Sequence, residues 1–344
     1  MVPEELNGLM CHQSDHSSYA VGLYHERASE SSSQTTKQHL KSHHRRKKSC
    51  VNFYVNLKIK FEVLISFAKS HFGSPLSSSF SKLQDLKVVF EDEHIVVVDK
   101  PAGVLCVPNK DGNPSLSQAV FDKYGSESGR ADKMVVHRLG MDTSGLVVFA
   151  RTEAALRAMN GLFRSREVTR TYEALVCGSI DEDEGVINMP LMRDYEFPPF
   201  MRVSSDDHQR ALVGLSAEDV GKKLLERPKE SLTKFTVVGR EEMDGNAVTR
   251  VALTSVSGRT HQLNVHLAGF GHPIVGDKVY GINGEAAPNG GLAEGTSASK
   301  APSDLQESIA AAAGDKPMCV HAKTISFEHP VSGDKLSFES AASF

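Results

Sequence analysis

The sequence predicts an α+β fold. Three observations carry that expectation. Short runs of β-branched residues are bounded by polar turns, stretches with helical spacing lie between them, and a late pair of strands is separated by an acidic turn.

Lys87 to Lys100 reads as a hairpin, VVF and IVVVDK around the charged turn Glu91 to His94. Lys100-Pro101-Ala102-Gly103 follows as a turn whose proline fixes one backbone angle, with Lys100 either a turn residue or a phosphate contact. Asn109 to Asn113 is a loop, and Ser115 to Tyr124 has helical spacing in Leu116, Val120 and Tyr124.

The stretch Met134 to Ala150 (MVVHRLGMDTSGLVVFA) organises what surrounds it. Its second half, Leu146 to Ala150, is a continuous apolar run and is expected to be a strand buried on both faces. The polar residues before it, His137, Arg138, Asp142, Thr143 and Ser144, then form a loop set on a rigid core, a place where sites are built. Gly140 and Gly145 are read as permitting angles or approaches that bulkier residues resist.

Thr152 to Arg164 has helical spacing, with Thr152 as cap and Ala155, Met159, Leu162 and Phe163 on one side. Arg151, Arg157, Arg164, Arg166 and Arg170 make this segment basic. Arg170 to Gly178 alternates as a strand, with Tyr172, Ala174 and Val176 on one face. Asp181 to Gly185 is an acidic surface turn without the spacing of a calcium loop. Asp206 to Pro228 is a polar connection with a helical stretch around Ala217 to Leu225. Leu232 to Gly239 and Val248 to Val256 are paired strands. Thr260 is placed to cap a helix with Leu263, Leu267 and Phe270 inside, ended by Gly269 and Gly271. Ile282 to Lys316, rich in Gly, Ala, Ser and Pro, reads as a flexible insertion.

Composition bounds the rest. The chain has 344 residues, 40% hydrophobic and 24% charged, as in a globular protein. No run of 18 apolar residues suggests a membrane span. Residues 1–85 hold 11 Lys and Arg against 7 Asp and Glu, a balance of +4, which leaves −8 of the formal −4 total on residues 86–344. That first segment, including HLKSHHRRKKSC, reads as a partly basic, disordered extension. The five cysteines, Cys11, Cys50, Cys106, Cys177 and Cys319, are scattered without a C-x-x-C pair and suggest reduced thiols in an intracellular protein. His261, His266 and His272 do not share metal-ligand spacing on one face, so no metal is expected.

HRLGMDTSGLVVFA is similar to the central loop of the RluA-type pseudouridine synthases, H-R-L-D-x-x-T-S-G followed by apolar residues. FEDEHIVVVDKPAGVLCVP, REVTRTYEALVCG and SGRTHQLNVHLAGFGHPIVGDKVYG resemble the family's other motifs in the family's order, and MCVHAKTISFEHPVSGDKLSFES resembles its closing strands. The likeness spans residues 86–340. It implies a pseudouridine synthase fold: a mixed, mostly antiparallel sheet with flanking helices and an RNA cleft across its middle. The implied activity is isomerisation of uridine to pseudouridine in tRNA or rRNA, by a monomer that needs no cofactor. By the same resemblance Tyr172 is the active-site tyrosine; Arg138, Thr143, Ser144, Arg164, Arg166, Arg259, His261 and Gln262 are expected to contact RNA or substrate, and the charge clustering is expected to make Arg138, Arg151, Arg157, Arg164 and Arg166 a basic RNA-facing surface.

Two positions depart from the pattern. The family's catalytic Asp corresponds to Gly140, and the Arg that pairs with it corresponds to Asn264. Both halves of a buried ion pair are replaced together, which a fold survives more readily than the loss of one half. Three readings follow: Asp142, two residues on, serves as the carboxylate; the chain binds RNA or aids assembly without catalysis; or it performs other nucleoside chemistry.

Overall fold

A computed structural model of the chain describes residues 83, 85–216, 218, 221, 224–292 and 301–344. The expectations for residues 1–82 of the N-terminal extension, its basic run included, lie outside the described residues.

The first hairpin pairs β1 (Lys87–Glu91) with β2 (Ile95–Lys100). Its turn is closed by Asp92, whose Oδ1 accepts from the backbone N–H groups of His94 and Ile95 at 2.7 Å each. The strand β3 (Ser144–Ala150) runs antiparallel to β2 and is buried from Gly145 onward. Strand alternation sorts the two runs onto opposite faces. Val96, Val98, Val147 and Phe149 meet Leu116 and Val120 of α1 (Leu116–Tyr124). Ile95, Val97, Leu146 and Val148 meet Ala155 and Met159 of α2 (Glu153–Ser165), which Thr152 caps by accepting from the Ala155 N–H at 3.2 Å. Each such buried side chain contributes roughly 1.5–3 kcal/mol, so the apolar runs themselves hold the helices on both faces.

Then come β4 (Thr169–Cys177), β5 (Glu184–Asn188), the small hairpin β6 (Leu191–Arg193) and β7 (Met201–Val203), and α3 (Asp206–Leu212). The expected helical stretch at 217–225 falls largely outside the described residues; the helix in this connection is α3, capped by Ser205. The pair β8 (Leu232–Met243) and β9 (Asn246–Ser255) is longer than its apolar content suggested, because Asp244 and Gly245, both at positive φ, make a two-residue turn that lets the strands pair to their ends.

The helix α4 (Gln262–Gly269) is followed by α5 (Ser303–Ala313), β10 (Val320–Glu328) and β11 (Lys335–Glu339). The main sheet runs β1-β2-β3-β10-β4-β9-β8-β5, with β11 also paired to β10. It is antiparallel except where β10 meets β3. The α+β class and the mostly antiparallel sheet agree with the sequence.

The insertion does not. Residues 303–313 form a helix whose Ile309 and Ala313 pack with Ala301 against Leu175, Cys177 and Val248. Alanine is the strongest helix former and buries well without marking an apolar period, so composition alone read the segment as loose. Thr260 also does not cap α4. His261 occupies that position at φ 50, and Gln262 turns back to accept from the Arg259 N–H at 2.9 Å.

Candidate active site

The register of the sheet aligns one residue from each of five strands. Lys100 on β2 lies opposite Gly145 on β3, Gly145 opposite Ala322 on β10, Ala322 opposite Tyr172 on β4, and Tyr172 opposite Leu253 on β9. At about 4.8 Å per strand, Lys100 and Tyr172 are separated by roughly 14 Å across the row. The row depends on Gly145. Its φ is +111°, and a Cβ there would stand 2.4 Å from the Ala322 carbonyl oxygen. Only glycine lets β10 approach so closely.

The loop HRLGMDT leads into this row at the start of β3. His137 is its anchor: Nε2 accepts from the Val148 N–H at 2.9 Å, and the ring stacks on Phe163 with centroids 4.8 Å apart. Burial, with the Arg170 charge adding to it, pushes its pKa down to about 3, so the ring is neutral. Leu139 points into the core. Ser144 binds back to the sheet, 2.9 Å from His321 Nδ1. His321 Nε2 faces the Ser340 carbonyl at 3.2 Å, so the neutral ring carries its hydrogen there and Nδ1 accepts from the Ser144 hydroxyl.

Gly140 lies at the surface in an ordinary backbone conformation. A Cβ added there would meet Thr143 Oγ1 at 3.4 Å, an ordinary contact. The conformational freedom expected of this glycine is therefore not used, in contrast to Gly145.

Lys100 is completely buried and donates from Nζ to the carbonyls of Pro101 (2.9 Å) and Met141 (2.7 Å). The Met141 carbonyl also accepts from the Gly103 N–H at 2.9 Å, which ties the loop to the turn after β2. Asp142 follows directly. Burial raises its carboxyl pKa, the Lys100 charge opposes that, Asp277 adds to it and Lys278 opposes it. Among the described residues no hydrogen bond from the Thr143-Ser144-Gly145 turn engages this carboxyl.

On the third motif, Asn264 donates from Nδ2 to Asp277 Oδ2 at 2.7 Å and to Met318 Sδ at 3.2 Å. The other Asp277 oxygen accepts from the N–H groups of Val279 and Tyr280 at 2.9 Å each. His261 pairs through Nδ1 with the Tyr280 hydroxyl at 2.8 Å. Gln262 is 2% exposed, and its amide is used up on Leu232, Thr233, Ser257 and Arg259. Of the residues expected to contact substrate, Gln262 and Ser144 are thus placed as internal ties, and His261 is tied to Tyr280.

The arginines divide the same way. Arg138, Arg164 and Arg166 are exposed, and all three flank the His137–Phe163 stack in sequence. Arg170 lays its guanidinium over Phe163 at 5.4 Å and reaches within 3.8 Å of the Cβ position of Gly258, joining this rim to the loop that carries Arg259. Arg259 itself reaches the Glu230 carbonyl at 3.3 Å. Arg151 turns inward to the carbonyls of Asp92 and Tyr124, and Arg157 pairs with Glu153 at 3.5 Å, so neither belongs to the rim. Sequence reasoning missed Asp277, His321 and the place of Arg170. Asp277 stood within the quoted third motif, while His321 meets Ser144 only through the long-range pairing of β3 with β10.

Residues 94–269 match the family described as RNA pseudouridylate synthase. A dual-specificity RNA pseudouridine synthase RluA of Pasteurella multocida (strain Pm70) is 33% identical over 259 residues, 75% of this chain and 94% of that protein. The protein of the same name from Yersinia pestis is 38% identical over 193 residues, covering 56% and 81%. The solved structure of human RNA pseudouridylate synthase domain containing 1 superposes with a TM-score of 0.53 at 23% identity, covering 75% of this chain and 84% of that one. The last likeness speaks for the fold.

Proposed function

The chain belongs to the RNA pseudouridylate synthase family, and on that premise we propose that it isomerises uridine to pseudouridine within RNA, with Asp142 as its carboxylate and Tyr172 beside the base. The uracil is released from C1′, turned and rejoined through C5, so the base supplies both the leaving group and the carbon nucleophile. The target nucleotide must leave its stack, at a cost of a few kcal/mol, which favours loops over helices.

One observation carries the assignment of Asp142. It is the loop carboxylate that directly follows Met141, whose carbonyl holds the buried Lys100 ammonium, and among the described residues it is not committed to its own turn. Gly140 has no side chain to offer, and Asn264 is spent on Asp277. The exposed Arg138, Arg164 and Arg166, with Arg170, form the surface on which phosphates would be held.

The test uses tRNA and rRNA tritiated at uridine C5. Pseudouridine formation replaces the C5–H bond by a C5–C1′ bond and releases tritium to water. Release with the purified protein is expected. Binding of either RNA without any release would leave a noncatalytic RNA-binding protein instead.

A further inference from the structure

We infer that Tyr280 is a positioning residue of this site: its hydroxyl fixes the His261 ring so that the Nε2–H donates to a phosphate oxygen of the RNA. The inference rests on the reading of this chain as acting on RNA.

Tyr280 is held in a closed circuit of hydrogen bonds. Asn264 donates from Nδ2 to Asp277 Oδ2 at 2.7 Å, and the other Asp277 oxygen accepts from the Tyr280 N–H at 2.9 Å. The Tyr280 hydroxyl returns to His261 Nδ1 at 2.8 Å. His261 and Asn264 are joined through the first turn of α4, where the His261 carbonyl accepts from the Val265 N–H at 3.0 Å. The Tyr280 oxygen also accepts from the Met201 N–H at 3.1 Å, so its acceptor side is in use. Burial pushes the Tyr280 pKa up, and the phenol keeps its proton. That proton goes to His261 Nδ1. A neutral imidazole that accepts at Nδ1 carries its own hydrogen on Nε2.

The remaining N–H is presented outward. His261 is exposed, while Gln262 and Leu263 after it are buried. Among the described residues its Nε2 has no hydrogen-bond partner. Its backbone stands at φ 50, in the left-handed region, where a residue with a Cβ stays only if its surroundings hold it. Burial lowers the ring's pKa, with Asp277 opposing and Arg193 adding, so the ring is neutral near pH 7. Phosphate oxygens only accept, and they take a large share of protein–nucleic acid hydrogen bonds. Arg259, two residues earlier, brings positive charge to the same turn. Unlike an arginine, a neutral donor adds affinity without releasing counterions.

The test has two readings on the full chain. Nitrogen NMR of His261 should show hydrogen on Nε2 and a bare Nδ1 in the wild type, and a mixture of tautomers in Tyr280→Phe. Affinity for tRNA and rRNA is then followed against salt near pH 7 for the wild type, Tyr280→Phe and His261→Asn. Asparagine tolerates the left-handed backbone and leaves Tyr280 in place, but its side chain ends short of Nε2. His261→Asn should bind at least about fivefold more weakly with an unchanged salt slope, and Tyr280→Phe should show part of that loss with the same slope. A wild-type ring with its hydrogen on Nδ1 overturns the inference. So does wild-type affinity in His261→Asn, or a salt slope that drops by about 1 as for a charged contact. In those cases RNA binding by the wild type still stands. A wild type that binds neither RNA removes the RNA reading itself, and the inference with it.

Discussion

Asn264 gives its amide to Asp277 Oδ2 at 2.7 Å, and that bond gives the neutral side chain of the third motif a structural role. A neutral donor here satisfies the buried Asp277 carboxylate, whose other oxygen holds the turn before Tyr280. Gly140 offers no carboxylate and Asn264 no charge, so these two positions leave no buried, unmatched charge.

The two glycines of the central loop should respond oppositely to substitution. Gly145→Ala forces a Cβ onto the Ala322 backbone at positive φ and should cost more than about 3 kcal/mol in denaturant unfolding. Gly140→Asp makes only an ordinary contact with Thr143 at an exposed position and should cost less than about 1 kcal/mol. Combined with Asn264→Arg, it should raise the rate of tritium release above either single variant. No gain from the double substitution would mean that the scaffold is not competent in other respects.

His137 makes stability depend on pH. Its pKa is about 3 in the fold against about 6.5 unfolded, so the unfolded chain takes up the proton first. The contribution is full above pH 6.5 and is lost as pH falls toward 3, on the order of 2 kcal/mol by pH 4.5. His137→Gln keeps an acceptor for the Val148 N–H but does not titrate. Its stability curve should be flatter across that range, and a slope equal to the wild type would refute the assignment.

Asp142 acts with the other sign. Burial raises its carboxyl pKa in the fold, so the native state holds that proton more tightly than the unfolded chain. Stability falls as pH rises from the ordinary carboxylate range through the raised value, and the penalty persists above it. Asp142→Asn should therefore raise the melting temperature at pH 7 and leave it nearly unchanged at pH 3. A drop at pH 7 would show that the ionised carboxylate is net stabilising.

The arginine rim should behave as a phosphate surface. Arg164→Ala and Arg166→Ala should each weaken binding across RNA sequences and reduce the slope of log affinity against log salt by about 1. Arg157→Ala, whose partner is Glu153, should change that slope little.

Much of the fold was legible because it rests on local patterns. The run Leu146 to Ala150 has to be buried on both faces, and Thr152 before an amphipathic stretch has to start a helix. The helix α5 was not legible, since of its buried residues Gln306, Ile309 and Ala313 only one is a large apolar side chain. The site was legible in its residue types but not in their commitments. Gln262 and Ser144 look like substrate contacts in a motif, yet Thr233 and His321 bind them from strands 29 and 177 residues away. Arg151 and Arg164 sit in one basic segment, and the carbonyls of Asp92 and Tyr124 separate the inward one from the exposed one. Lys100 had two open readings, and its burial decides for neither a solvated turn nor a phosphate contact.

The measurement that bears most directly on the central claim compares wild-type protein with Asp142→Asn on the same tritiated tRNA and rRNA, with RNA affinity and melting recorded alongside. Tritium release by the wild type, lost by at least about a thousandfold in Asp142→Asn while RNA binding and folding persist, is the predicted result. Release that survives in Asp142→Asn would contradict it and move the reaction to another group on this scaffold.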